Sequence, residues 1–106
     1  MYRQIPERDW KEWRKLSPIA LERFCHRILQ KCATFSQGAG STHERYLKLF
    51  RYLQSQDADM AAVFNDQRRS NAYQQIASAV SRRIMSRDEL MVFSEETQAV
   101  IDLFLE

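Results

Sequence analysis

Two cysteines and two histidines are the residues of this 106-residue chain best suited to metal binding or nucleophilic catalysis. Cys25 and Cys32 are seven residues apart, which places both thiols on one face of a helix, about 10 Å apart. His26 points away from that face, and His43 belongs to the start of a later helix. Such spacing fits no usual zinc pattern and sets neither thiol beside a base. We therefore predict no metal site, no catalytic residue and no cofactor.

The acidic residues and glycines give no stronger indication of catalysis. Three carboxylate pairs occur where helix capping or the helix dipole explains them. They are Asp57 with Asp59, Asp88 with Glu89, and Glu95 with Glu96. The two glycines both lie within residues 37–40, so the chain has no glycine-rich loop for phosphate binding. The sequence thus predicts a protein that is not an enzyme, with no evident small-molecule substrate.

Basic residues between positions 68 and 87 suggest a nucleic-acid-binding alternative. Arg68, Arg82, Arg83 and Arg87 are the residues that would contact phosphates. A comparison with a helix-turn-helix fails at two positions, because Ser81 replaces the preferred glycine and Arg82 replaces an apolar residue. A nucleic-acid-binding or regulatory module is therefore the second hypothesis.

Helical phase separates Arg69 from the arginines around it. If residues 68–84 form one helix, Arg69 lies within the apolar arc, whereas Arg82 lies on the opposite side. A partly buried guanidinium requires a charged or carbonyl partner. We predict that Arg69 is a structural buried charge, with Asp66 as the local candidate partner and the acidic final helix as the distant one.

An excess of aromatic residues indicates protein binding. The chain has twelve, which is many for its length. Tyr2, Trp10, Trp13 and Tyr52 are not obviously needed by the apolar stripes that build the core, and Trp and Tyr are common anchors in protein interfaces. The alternative is that the N-terminal helix covers the core with its two tryptophans. The residues predicted to contact a protein partner are Trp10, Trp13, Arg14, Arg51 and Tyr52.

Charge is distributed unevenly along the chain. Residues 1–87 contain all 16 Lys and Arg residues but only eight of the 14 acidic residues, which gives this segment a net charge of +8. Residues 88–106 have a net charge of −6. The acidic segment either compensates the basic one within the fold or orients a partner.

The composition favours helix throughout, because Gly and Pro are scarce and good helix formers are plentiful. We predict one all-α domain, 1–106, built as a compact bundle of five to six helices. Pro6 begins a short helix that runs to about Lys15. Ser17 and Pro18 begin a second helix, which ends near Ser36 before the turn at residues 37–40.

Capping boxes mark the later helices. Ser41–Glu44 opens one long central helix over about 42–66, with a break at 54–59 as the alternative. Its apolar stripe contains Tyr46, Leu49, Phe50 and Leu53, and it changes buried face near 65–71, where Ser70 is a candidate N-cap. A helix with two apolar faces needs two neighbours, so a homodimer is possible. Ser86–Glu89 and Ser94 begin the last two elements.

The first fifteen residues contain no apolar segment of the kind found in signal peptides, and no apolar run is long enough to cross a membrane. The sequence therefore predicts a cytoplasmic protein without membrane association. The functional prediction is a small non-catalytic helical protein that acts by binding another protein or by self-association.

Overall fold

Four α-helices and two short 3₁₀ segments make up residues 4–106, the part of the chain that the computed structural model describes. The helices are α1 (Glu7–Ser36), α2 (Thr42–Phe64), α3 (Ala72–Ser81) and α4 (Glu95–Leu105); the 3₁₀ segments are Arg69–Asn71 and Asp88–Val92. No β-strand occurs among these residues, which confirms the all-α class. The predicted number of five to six helices is slightly too high, because the first two predicted helices are one and the short element after Ser86 is a 3₁₀ segment.

α1 passes through Pro18 without a break. Proline inside a helix removes one hydrogen bond and costs about 3 kcal/mol relative to alanine. The helix continues because a single buried face extends along both sides of the proline, whose own side chain is exposed. The residues of that face are Asp9, Trp13, Ser17, Ala20, Phe24 and Ile28. Burial of the whole face against one core offsets the local cost.

α2 is continuous across residues 54–59 and ends at Phe64, so the predicted break lies at 65–71. Ser41 caps its first turn by accepting a hydrogen bond from the Glu44 amide at 3.1 Å. The reversal after Phe64 is organised by Asn71, not by the predicted cap Ser70. The Asn71 side chain accepts from the Arg68 amide at 3.0 Å and donates to the Asp66 carbonyl at 2.8 Å.

Buried residues are confined to one end of the molecule. We call residues 4–28 and 63–106 the body, since every fully buried residue belongs to them. Residues 29–62, which we call the arm, form the end of α1, the turn and most of α2 without a single fully buried side chain. The described chain measures 52 × 24 × 24 Å, and its radius of gyration is 16.4 Å. A globular domain of this length has a radius of about 13 Å, so the fold is elongated and the predicted compact shape of the bundle is wrong.

Two arginines of α1 hold the segment that follows α3. Arg23 forms a bidentate salt bridge with Glu89, with hydrogen bonds of 2.7 and 3.0 Å, and also donates to the Ile84 carbonyl. Arg27 donates to the carbonyl oxygens of Arg82 and Arg83 at 2.6 and 2.7 Å. These contacts place positive charge at the C-terminal end of α3, where the helix dipole favours it.

The predicted capping boxes around α4 are present. The Ser86 amide donates to Glu89, and the Glu89 amide donates to the Ser86 hydroxyl. Ser94 accepts from the Thr97 amide at 3.4 Å and so caps α4. Among the helices of residues 4–106, none combines the length and the hydropathy needed to cross a bilayer.

Candidate interaction surface

An exposed apolar surface lies along one side of the arm. We call it the arm face and define it by Leu29 of α1 and Tyr46, Phe50, Leu53 and Asp57 of α2. Leu29 is 69% exposed, Tyr46 57% and Phe50 46%. The rings of Tyr46 and Phe50 stack with centroids 6.2 Å apart. The stripe that the sequence assigns to the core therefore meets solvent over most of its length.

A shallow pocket of about 300 Å³ joins the two helices within this surface. Its lining combines apolar side chains with one carboxylate, and consists of Cys25, Ile28, Leu29, Leu53, Gln56, Asp57 and Met60. Asp57 is exposed and has neither a salt bridge nor a hydrogen bond to another residue of the described chain. The arm face thus offers apolar area together with one carboxylate that has no partner within the described chain.

The side of α2 that faces α1 holds the two helices of the arm together. Tyr52 packs on Phe35 with ring centroids 5.2 Å apart, and Arg45 donates to the Ser36 carbonyl at 2.7 Å. Burial raises the pKa of the Tyr52 phenol, and a neighbouring Cys32 adds to this effect. Tyr52 is therefore a contact between the two helices of the arm and does not belong to the arm face.

The predicted interface residues do not form one surface. Trp13 is completely buried in the body, so its assignment as a partner contact is wrong. Trp10 is half-buried, and the Arg14 guanidinium lies 5.9 Å from its ring centroid. Tyr52 packs on α1 near residue 35, which is 25 residues from Trp10 and so about 38 Å away along the helix.

Arg51 is exposed on the arm and has no ion pair among residues 4–106. Tyr2, the remaining aromatic residue suggested as a partner contact, lies outside the described residues. Of the five predicted contacts, the structure therefore places only Arg51 and Tyr52 on the arm. The residues that the prediction missed are those of the arm face itself, because its apolar stripe was assigned to the core.

Acidic partners neutralise three of the four arginines proposed for nucleic-acid binding. Arg68 pairs with Asp66 at 3.0 Å, Arg82 with Asp59 at 3.4 Å, and Arg87 with Asp102 at 3.3 Å. The guanidinium of Arg83 has no such partner in the described part of the chain, and its backbone has a positive φ of 60°. These side chains therefore present little uncompensated positive charge.

Arg69 is half-buried, as predicted, and its partner is a carbonyl group. The helical phase on which the prediction rested is wrong, because Arg69 lies in the 3₁₀ segment before α3 and Arg82, predicted on the solvated side, is half-buried as well. It donates two hydrogen bonds to the Ile5 carbonyl oxygen, at 3.2 and 2.7 Å. The predicted partner Asp66 is wrong, because that carboxylate is exposed and pairs with Arg68. Arg69 thereby joins the segment before α1 to the segment before α3.

Asp9 is a buried carboxylate that sequence reasoning did not identify. It accepts hydrogen bonds from the Ser94 amide at 3.0 Å and from the Ser94 and Thr97 hydroxyls at 2.6 Å each. Burial alone would raise its pKa, but these hydrogen bonds and the charge of Arg8 hold the pKa below its ordinary value. The contact fixes the N-terminus of α4 against α1, which is a structural role.

No group of three His, Cys, Asp or Glu side chains in residues 4–106 converges as a metal site would require. Cys25 and Cys32 are unpaired and half-buried. His26 and His43 are exposed. The prediction that the chain has no catalytic residue stays a prediction.

Comparison of the chain with protein-family models, with curated proteins and with solved structures finds no match.

Proposed function

We propose that this protein is a small non-catalytic helical module that binds a protein partner through the arm face. The observation that carries the proposal is the contrast in burial along α2. Tyr46, Phe50 and Leu53 are large apolar residues on one helical stripe, and all three are exposed. A contiguous exposed apolar surface on a small domain is typical of a protein-binding site.

The mode of binding that suits this surface is helix-on-helix packing. Apolar residues at positions 46, 50 and 53 repeat with helical spacing, and the pocket between α1 and α2 can accept a side chain from the partner. Lys48 and Arg51 lie outside the stripe and are exposed, so they can stay in solvent when the stripe is covered. The cytoplasm is the compartment that we assign to this function, because its reducing conditions keep unpaired cysteines reduced.

Nucleic-acid binding is the weaker hypothesis. Three of its four arginines are engaged by Asp66, Asp59 and Asp102. A protein that binds duplex DNA through these residues would have to break those pairs before contacting phosphates. Salt-dependent binding to duplex DNA, lost in an Arg82→Ala and Arg83→Ala double variant, would replace the protein-binding proposal with this one.

Site-specific photocrosslinking tests the proposed function. A photoreactive amino acid replaces Phe50 on the arm face or, as the matched control, Ser55, which is exposed on the other side of the same helix. Both variants are irradiated in an extract of the cells that make the protein. We expect a defined adduct from position 50 and none from position 55. Equal labelling from both positions, or no adduct from position 50, would contradict the proposal.

A further inference from the structure

A heptad pattern runs along the exposed stripe of α2. Alternating spacings of three and four residues connect His43, Tyr46, Phe50, Leu53, Asp57, Met60 and Phe64. In heptad notation, positions 43, 50, 57 and 64 are a and positions 46, 53 and 60 are d. The last two, Met60 and Phe64, are partly buried by the body, where Phe64 contacts Phe24. The others are exposed on the arm face, or beside it in the case of His43.

We infer that the arm face binds a second copy of this chain, with the two α2 helices antiparallel and related by a two-fold axis between residues 51 and 52. This inference rests on the proposed function and specifies its partner. An antiparallel pair matches a positions with d positions, and this axis does so in every layer. Phe50 then faces the second copy's Leu53, Tyr46 faces its Asp57, and His43 faces its Met60.

Asp57 selects this orientation. In a parallel pair the a positions meet one another, so two Asp57 carboxylates would share one layer between the apolar layers of Leu53 and Met60. In the antiparallel pair each Asp57 lies opposite a Tyr46, whose phenol can donate a hydrogen bond to the carboxylate. Asp57 has no partner within the described chain, so this bond replaces only contacts with water. A single polar residue at a core position is a known means of fixing register at some cost in stability.

Residues beside the seam are compatible with two identical surfaces in contact. The heptad e positions of α2, which border the stripe on the side away from α1, carry no charge. They are Leu47, Gln54 and Ala61. The cations Lys48 and Arg51 occupy the outer positions f and b, away from the seam. Two copies can therefore approach without opposing like charges at the edge of the seam.

The size of the surface predicts a weak and reversible dimer. From residue 43 to residue 60 the seam is about 26 Å long. The α1 and α2 helices of one arm, lying side by side, present a surface about 20 Å wide to the second copy. The contact would cover roughly 500 Å² on each copy, which is below the standard interface of about 800 Å² per partner. We expect dissociation constants of roughly 10–500 µM, since interfaces of this size belong to weak complexes.

Sedimentation analysis of the purified chain from about 10 µM to about 1 mM tests the dimer, over the range expected for a weak interface. We expect a concentration-dependent shift from one copy to two. Leu53→Glu should abolish the shift, whereas the matched control Ser55→Glu, at an exposed position outside the seam, should leave it unchanged. Tyr46→Phe removes both symmetry-related hydroxyls that meet Asp57 and should raise the dissociation constant about five- to one-hundred-fold. Circular dichroism checks that each variant is folded.

Disulfide trapping tests the orientation, in a background that carries Cys25→Ala and Cys32→Ala. A mixture of the Tyr46→Cys and Asp57→Cys variants should form a disulfide-linked pair under mild oxidation. Either variant alone should not, because its two thiols would be about 16 Å apart along the axis. Self-linkage of the Tyr46→Cys variant would show a parallel pair and overturn the assigned geometry.

A chain that stays monomeric at about 1 mM overturns the self-association inference, since even weak interfaces of this size associate below that concentration. The proposed function is judged separately by the photocrosslinking experiment. A monomer that still gives a position-specific adduct with another protein would refute the dimer and support the binding module. Failure of both experiments would refute both.

Discussion

The helices α1 and α2 run through both the body and the arm, but their side chains have different surroundings in the two regions. Phe24 on α1 is 2% exposed, packed in the body against Phe64. Phe50 on α2 is 46% exposed and stacks only on Tyr46 of its own helix. The difference arises because α3 and α4 cover the helix pair at one end only. Identical residue types therefore contribute to stability in the body and remain available for binding on the arm.

Truncation of the two phenylalanines should produce the largest contrast. Phe24→Ala removes a buried ring and leaves a cavity, so we expect a loss of about 3–5 kcal/mol in the free energy of unfolding. Phe50→Ala should cost less than about 1 kcal/mol, because half of its ring already meets water. Urea unfolding measures the free energy of unfolding of both variants, at a protein concentration where the wild-type chain is monomeric. Similar losses for both would show that the arm contributes to the core.

Asp9→Asn should be the next largest change and should reveal a pH dependence. The substitution weakens hydrogen bonds that three donors of Ser94 and Thr97 make to a buried carboxylate, and we expect a loss of about 2–4 kcal/mol. The pKa of Asp9 is lower in the folded chain than in the unfolded one. Its stabilisation is therefore present above about pH 4 and is lost as the pH falls through the folded pKa.

Thermal unfolding from pH 7 to pH 2 checks this pH dependence. The difference in stability between the wild-type chain and the Asp9→Asn variant should shrink on acidification. Glu7→Gln, a change at an exposed acid of the same turn, is the matched control and should have little effect. A difference that stays constant down to pH 2 would argue against the assigned role of Asp9.

Pro18→Ala tests whether one rigid helix joins the body to the arm. The exposed proline lies inside α1, where alanine restores a helical hydrogen bond. We expect stabilisation of about 2 kcal/mol after allowing for the greater entropy of the unfolded chain. Differential scanning calorimetry of the wild-type chain and the Pro18→Ala variant measures this gain in stability. A destabilised variant would show that Pro18 fits a required bend, so that body and arm are not parts of one continuous helix.

The smallest expected contrast is the difference in the free energy of unfolding between the Arg69→Ala and Arg82→Ala variants. Arg69 joins two distant segments through the Ile5 carbonyl and is half-buried, so we expect a loss of about 1–2 kcal/mol. Arg82 pairs with Asp59 near the surface at 3.4 Å, a contact worth less than about 1 kcal/mol. Both side chains are half-buried, so equal melting temperatures for the two variants would contradict the greater weight given to the two hydrogen bonds of Arg69.

Local sequence signals were sufficient wherever the structure depends on neighbouring residues. Ser41, Ser86 and Ser94 cap the elements that they were predicted to cap, because a cap depends on contacts three residues away. The end of α2 also followed from helical phase, whereas the predicted contrast in burial between Arg69 and Arg82 is wrong, because residues 68–84 are not one helix. The prediction of a helix break at Pro18 was wrong. One buried face extends over both sides of the proline, and its burial outweighs the local preference of proline for the start of a helix.

The candidate site followed from the sequence only in part. Periodicity found the apolar stripe of α2, but periodicity is the same for a stripe that meets the core and for one that meets solvent. Trp13 and Tyr46 illustrate the ambiguity, since both are aromatic residues on amphipathic helices. Trp13 lies in the body and is completely buried, whereas Tyr46 lies on the arm and is 57% exposed.

Composition and local spacing by themselves determined that this chain is helical, where most of its helices begin and end, and which side of each helix is apolar. These properties depend on residues within one or two turns of each other. Tertiary structure alone decided which apolar sides are covered, through contacts such as that of Asp9 with Ser94, 85 residues apart in the chain. Because α3 and α4 pack at one end of the α1–α2 pair, burial ends at Ile28 and resumes at Val63. The arm face exists because no element of the described chain extends far enough to cover it.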